Sequence, residues 1–385
     1  MSTVTLDQMR SKLLSVDDVR QRLAVTEPLS QEHVTSDSNI RFTFPEGWNA
    51  DLDEIGGTDR TAVLMRVNGV EKPMTKDAAL IAASNVGLPG AYVKKTPGPL
   101  VEQHMNYWYG VGMGEKAYNV LTVGEDVAAF VKPTIVPFSN LALLDSTIEG
   151  IQRHYGADTE ILADYKIRHN LGRTDVRLIV PEHQRTITGG GLNDVPSGEA
   201  DLWSAGITLT NSLIGKSQTA VEGNLFRWWC TNGATTTNAE VGTWSRRSGG
   251  QGEDVYVWAA EAVDEVLGGM EHRFDEVQAL TGLNVAGNTA DVLRDIFTQY
   301  QVPVSQREAV TNALLESENL TMYAIMNAIT QTANGSEISA DRADRMMRIG
   351  GAVPTAAFDT LKARVWDEGH TAPVEVANPY VIAAA

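Results

Sequence analysis

Apolar and polar residues follow different rhythms in successive parts of this chain. Near the start, Leu13, Leu14, Val19 and Leu23 recur at close to helical spacing, which predicts a short amphipathic helix in a lead-in covering residues 1–40. TAVLMRVNGVEKPMT places β-rich flanks on both sides of Asn68-Gly69, a pair suited to a tight hairpin because its turn needs positive φ. KDAALIAASNVGLPGAYV predicts a helix from Lys76 that Gly87 and Pro89 end. A second helix follows Pro97 and Pro99 in PLVEQHMNYWYG, a second hairpin turns at Gly124, and SNLALLDSTIEGIQRHYG reads as a third helix.

From about residue 159 to 250 the β signal dominates, with candidate strands TEILADYKIRHN, TDVRLIVPE, WSAGITLTNS and AVEGNLFRWWCTN. In GITLTNS, Ile207 and Leu209 share one face and Thr208 and Thr210 the other, as in a sheet with one core face and one polar face. Gly189-Gly190-Gly191 predicts a mobile loop between strands, and RRSGGQGED (246–254) a domain boundary. After it the apolar spacing returns to about 3.6 over several segments, with Ser305 and Glu308 reading as a capping box. The tail PVEVANPYVIAAA reads as extended. The expected fold class is α+β: an antiparallel β-sheet core with packed helices over residues 41–250, then an all-α C-terminal module over 251–385.

Composition narrows the function classes. The 385 residues carry a formal net charge of −18, and 251–385 alone carries 8 basic and 20 acidic side chains. Such a surface repels polyanions, so if the protein binds an anion, the middle third is where it can. No run approaches the roughly 18 apolar residues of a membrane helix, and the N-terminus lacks a secretory pattern, so a cytoplasmic protein without membrane contact is expected. The single Cys230 excludes an intrachain disulfide and a thiolate-rich zinc site.

Catalytic signals are weak. Gly215-Lys216-Ser217 is half of a phosphate loop, but position 210 is Thr where Gly is needed, and strand follows where helix is needed. Lys216 therefore reads as a turn residue. The seven His show no HExxH spacing, and His154 and His169 read as solvated or partly packed rings. Cys230, beside Trp229, reads as a small core residue, with a catalytic thiol as the alternative. The acidic pairs of the last third read as solvated helix faces. No enzyme activity, cofactor or metal is expected.

One constellation remains, basic residues interleaved with aromatics. Lys94 and Lys95 precede Tyr107, Trp108 and Tyr109; Lys166, Arg168, His169, Arg173, Arg177, His183 and Arg185 fall on neighbouring strands. Arg227, Trp228 and Trp229 lie on another strand, and Trp244, Arg246 and Arg247 close the set. Single-stranded nucleic acid needs cations for phosphates and ring faces for bases. Alternation lets only one of Trp228 and Trp229 serve as a platform. The competing account is an aromatic core with snorkelling arginine stems.

The segment SAGITLTNSLIGKSQTAVEGNLFRWWCTNGA resembles the C-terminal signature of the phage/plasmid-like proteins grouped as domain of unknown function 932. The matching positions are Thr210, Asn211, Ser212, Gly215, Leu225, Arg227, Cys230, Asn232 and Gly233. Upstream, AASNVGLPGAYVKKTPGPLVEQHMNYWYG and VAAFVKPTIVPFSNLALLDSTI, with Phe138, Ser139 and Asn140, resemble two further family segments. KPTIVPF stands where that family usually has Ser-x-x-Tyr. The resemblance covers about residues 76 to 240. It implies a phage, prophage or plasmid origin and an α+β core similar to single-strand annealing proteins, which form rings or filaments.

The leading expectation is a non-enzymatic, phage-encoded protein that binds and anneals single-stranded DNA in recombination or replication, as a homo-oligomer in the bacterial cytoplasm. Bases would stack on Trp108 or on one of Trp228 and Trp229, with Trp229 the one assigned to the site. Phosphates would meet Lys94, Lys95, Arg168, Arg173, Arg177, Arg227, Arg246 and Arg247. The acidic helices would serve as an oligomer contact or would dock a partner such as a phage exonuclease or replication protein. The alternative is a structural or assembly protein of the phage particle; a third reading is an enzyme built around Cys230.

Overall fold

A computed structural model describes residues 6–25, 29–34, 39–46, 60–112, 117–135, 137–164, 172–190, 200–215, 217–229, 253–285, 289–299, 301–315, 320–333 and 340–359, with short pieces at 48, 168–169, 195, 232–235, 243–246, 317 and 365–367. The chain opens with α1 (Leu6–Arg10), β1 (Leu14–Ser15) and α2 (Val16–Ala24), followed by β2 (Leu29–Val34), β3 (Arg41–Thr43), β4 (Arg60–Val67) and β5 (Val70–Thr75). Next come α3 (Lys76–Asn85), α4 (Gly90–Lys95), α5 (Gly98–Gly112), β6 (Tyr118–Val123), β7 (Asp126–Val131) and α6 (Asn140–Tyr155). A second group of strands comprises β8 (Leu162–Ala163), β9 (Arg168–His169), β10 (Thr174–Ile187), β11 (Asp201–Asn211), β12 (Thr219–Arg227), β13 (Asn232–Thr235) and β14 (Thr243–Arg246). The remaining elements are α7 (Glu253–Gly268), α8 (Met270–Leu280), β15 (Leu283–Val285), α9 (Thr289–Gln299), α10 (Val304–Leu315), α11 (Met322–Thr332), α12 (Ala340–Asp359) and β16 (Val365–Asp367).

Local chemistry sets most of these boundaries. Asn68 (φ 50°) and Gly69 (φ 87°) make the two-residue turn joining β4 to β5. Thr75 caps α3 by accepting from the Ala78 amide. At its other end, the Gly87 amide donates to Ser84 and the Leu88 amide to Ala83, the paired bonds of a glycine-terminated helix with Gly87 at φ 82°. Ser139 caps α6 in the same way. The amphipathic helix expected around Leu13, Leu14, Val19 and Leu23 is α2, and it begins later than the apolar spacing suggests. Ser15 and Asp18 form a reciprocal capping box at α2, which leaves Leu14 in β1, paired with Ala163.

The strands form two larger sheets. The first has the order β2-β6-β7-β5-β4-β3, antiparallel except between β5 and β7. Helices α3 and α5 close a core of Phe42, Met65, Met74, Val101, Met105, Tyr109 and Phe130 over it. The second runs β1-β8-β10-β11-β12-β13 with β9 and β14 attached, and its pairs are antiparallel. Leu213 and Ile214, in the β11–β12 turn, pack against Leu121, Ala129 and Val131 of the first sheet. The half phosphate loop is thus a docking turn, with Gly215 at φ 71° and a strand after it; Lys216 lies outside the described residues.

The fold class is α+β, an antiparallel sheet core with packed helices and a helical C-terminal segment. That segment does not stand apart. One core runs from Val19 and Leu23 through Leu178, Ile207 and Val221 to Val263, Phe274, Ile325 and Met346. Helix α7 packs along α6, where Gly150 leaves no room for a side chain against the Ala260 carbonyl and Val263. The boundary expected at 246–254 falls largely outside the described residues, but the helices beyond it complete the core of the strands before it.

Two local expectations change. The capping box at Ser305 is not formed, because α10 starts at Val304 and puts Pro303 at its cap, a residue whose missing N–H costs nothing there. The glycine run is held rather than loose at its start. Gln278 on α8 accepts from the Thr188 amide and donates to its carbonyl, and a side chain on Gly190 would collide with the Tyr323 ring. Gly191 and the tail 373–385 lie outside the described residues. No helix among the described residues is long and apolar enough to cross a membrane.

Candidate nucleic-acid interface

Of the strand arginines expected to line a groove, Arg173, Arg177 and Arg227 are paired with carboxylates instead. Arg227 is 1% exposed, and its Nε donates to Asp201 Oδ1 at 2.8 Å. The other oxygen of Asp201 accepts from the Tyr323 hydroxyl, which itself accepts from Trp203 Nε1 at 2.9 Å. Burial, with Asp201 beside it, pushes the Tyr323 hydroxyl well above its ordinary value, so it stays a donor. The alternation of β11 and β12 brings these groups together: Trp203 pairs with Arg227 across the ladder, on the core face.

Arg177 donates to buried Asp164 at 3.0 Å, and Arg185 meets Asp275 at 2.6 Å. Arg173 bonds Asp175 at 2.8 Å and Asp344 of α12 at 2.9 Å. Arg348, one turn beyond Asp344, forks onto both oxygens of Glu222 and also bonds Asp344. Burial opposes ionisation of Asp344, but Arg348 and Arg173 outweigh it and hold the carboxyl below its usual range. These charges fasten α12 to the polar face of β10–β12. That face is polar, as the Thr208/Thr210 alternation predicts, yet it is covered rather than open.

Neither tryptophan of the FRWW segment presents a ring face. Trp228 is buried against Phe226 and donates to Ser204 Oγ at 2.8 Å. Trp229 is 9% exposed and donates to the Ala200 carbonyl at 2.6 Å. Arg168 and Arg246 sit in β9 and β14, but their side chains, together with Arg247 and Cys230, lie outside the described residues. Arg173, Arg177, Arg227 and Trp229 therefore form no open trough. The competing reading of the sequence, paired arginine stems and core rings, describes these four.

The first sheet supplies a different surface. Helix α5 turns Val101, Met105 and Tyr109 into the core. Beside them, Asn106 accepts from the Phe42 amide at 2.7 Å and donates to its carbonyl at 2.8 Å. Glu102 accepts from the Phe44 amide at 2.9 Å. These side chains act as an extra strand along the edge at β3, which leaves that edge covered.

The opposite face of α5 carries Leu100, His104, Tyr107, Trp108 and Val111, all exposed. Tyr107 is 60% and Trp108 47% exposed, their rings 5.3 Å apart and edge-to-face. Tyr92 of α4 stacks on His104, with its hydroxyl 2.7 Å from Nδ1, and so ties α4 to this face. Exposed Lys94 and Lys95 end α4, at the N-terminal end of the stripe. At the other end lies Arg41, also exposed, with Nη1 about 4 Å from where a side chain on Gly110 would begin.

Arg41 was not singled out by the sequence pattern. A usable signal exists, however: from Ala78 to Gly114 the chain has a single carboxylate, Glu102, and that one faces β3. In a chain with 49 acidic residues, this is a local relief from negative charge. No cluster of His, Cys, Asp and Glu suited to a metal ion occurs among the described residues. No protein-family model, curated protein or solved structure matches the chain.

Proposed function

We propose that the protein is a non-enzymatic, phage-encoded protein of the bacterial cytoplasm that binds single-stranded DNA on the α4–α5 face and promotes annealing. The observation that carries this reading is the alignment along α5 of exposed cations and exposed rings within a stretch almost free of carboxylates. Trp108 lies ten residues from the start of α5, about 15 Å along its axis. A strand laid along the helix would meet Lys94 and Lys95 at one end, Tyr107 and Trp108 further on, and Arg41 beyond them. Base stacking on each ring contributes about 1–3 kcal/mol and tolerates any sequence. The resemblance to phage/plasmid-like proteins supports the origin and the annealing role.

The arginines of β10–β12 hold the fold and leave the strand to α4–α5. The footprint is consequently short. Its test is a fluorescence-anisotropy titration with a single-stranded oligonucleotide at low and high salt; absence of binding at low salt overturns the reading.

A second reading, an assembly protein of the phage particle, is favoured by Leu100 and Val111, exposed at the two ends of the same stripe. Apolar ends around a Tyr/Trp centre suit a protein partner. Co-sedimentation with purified particles, together with loss of that association in Leu100→Ser and Val111→Ser, would favour it.

A further inference from the structure

A separate cleft opens at the end of the first sheet, where β6 begins and β7 ends. Its volume is about 580 Å³, and it is lined by Ser84, Asn85, Ala117, Tyr118, Lys132 and Thr134, with Pro133. That volume lies within the range of small-molecule sites. Several elements converge there. Ser84 and Asn85 come from the last turn of α3, Tyr118 from the first residue of β6, and Lys132 to Thr134 from the chain leaving β7.

The chemistry of the lining is one-sided. Among the described residues that line it, Lys132 is the single charged one and none is a carboxylate, while Ser84, Thr134 and Tyr118 bring hydroxyls. At the end of α3 the Ser84 and Ala83 carbonyls accept from the Gly87 and Leu88 amides, and the positive charge that an anion would need against the helix C-terminus comes from Lys132. Asn85 is held by its Nδ2 donating to the Phe130 carbonyl at 2.7 Å, and Asn119 Nδ2 reaches the Pro133 carbonyl at 3.5 Å. The Tyr118 ring is stacked on Phe130 at 4.6 Å, which makes that wall stiff.

We infer that this cleft binds a phosphate monoester of about mononucleotide size, its phosphate against Lys132 and the hydroxyls of Ser84 and Thr134. Lysine with neighbouring hydroxyls offers enough donors for the oxygens of a phosphate, and Ala117 and Pro133 give the rest of the ligand an apolar rest. Tyr109 of α5 packs on Tyr118, with ring centroids 6.2 Å apart, so the cleft lies behind the α5 face and shares no lining residue with it.

Calorimetric titration of the full chain with dTMP, thymidine and inorganic phosphate tests this. Expected is saturable dTMP binding, much weaker binding of thymidine, and competition by inorganic phosphate. Lys132→Gln should weaken dTMP by about tenfold, as loss of a charge-assisted hydrogen bond does, and Ala117→Trp should block it. Trp108→Ala should leave dTMP binding intact while weakening the oligonucleotide, which separates this site from the α5 face. No dTMP binding by the parent, or binding that both cleft variants leave unchanged, overturns the inference.

Discussion

The side-chain amide of Asn211, at the end of β11, donates both to Asn140 Oδ1 and to the Phe138 carbonyl, each at 2.8 Å, and both asparagines are buried. Asn211 Oδ1 in turn accepts from Thr219 Oγ1 at 2.8 Å. The start of α6 and both ends of the β11–β12 turn are thereby clasped at one point. Two of the segments that carry the resemblance to phage/plasmid-like proteins meet in this clasp, so Asn140 and Asn211 serve the fold.

Asn140→Ala and Asn211→Ala should each destabilise the protein by about 1–3 kcal/mol, because each leaves a buried partner unsatisfied. In urea unfolding, the double variant should lose clearly less than the sum of the two. Strict additivity would show that the two side chains do not work as a pair.

Arg227→Ala should cost about 3–5 kcal/mol, since it abandons Asp201 in the core without its counter-charge. Thermal unfolding is the measurement. Oligonucleotide affinity of the fraction that folds should match the parent, and a stable variant with weakened binding would return Arg227 to the interface.

The attachment of α12 should be sensitive to acid. Asp344 has its carboxyl held below the ordinary value of 3.8, so it ionises more readily when folded. Its contribution is therefore present above that value and is lost as pH falls through it towards the folded value. Protection of α12 against hydrogen exchange, taken relative to the intrinsic rate at each pH, should fall over that window. At neutral pH Asp344→Asn should exchange faster there than the parent, and the gap should close as pH drops. A gap that widens on acidification would contradict this account.

Much of the framework was legible because local chemistry decided it. The Asn68-Gly69 turn, the Thr75 and Ser139 caps and the Gly87 terminator are each read from residues a few positions apart. The alternation of Thr208 with Ile207 was legible too, and it located a polar face correctly. What covers that face was not, because Asp344 and Arg348 arrive from more than a hundred residues away. The same limit misled the interface. An arginine on a strand looks alike in sequence whether a phosphate or a distant aspartate faces it, and Arg227 finds Asp201. Lys94, Lys95 and Trp108 stay exposed because they lie on helices whose inner faces are filled by Val93, Val101, Met105 and Tyr109.

Lys94 and Lys95 should account for a share of the salt dependence. For a single strand, each phosphate contact adds about −0.7 to the slope of log affinity against log salt. The double Lys94→Gln, Lys95→Gln variant should lower the slope by about that amount per lost contact and weaken binding at low salt. An unchanged slope would place the phosphates elsewhere.

The central claim is that α5 is the stacking surface, and Trp108→Ala in an anisotropy titration with an oligothymidine at low salt tests it most directly. The account predicts a loss of affinity of about 1–3 kcal/mol with the melting temperature unchanged, since the ring is exposed in the free protein. Parental affinity in Trp108→Ala, or no binding by the parent itself, would contradict it.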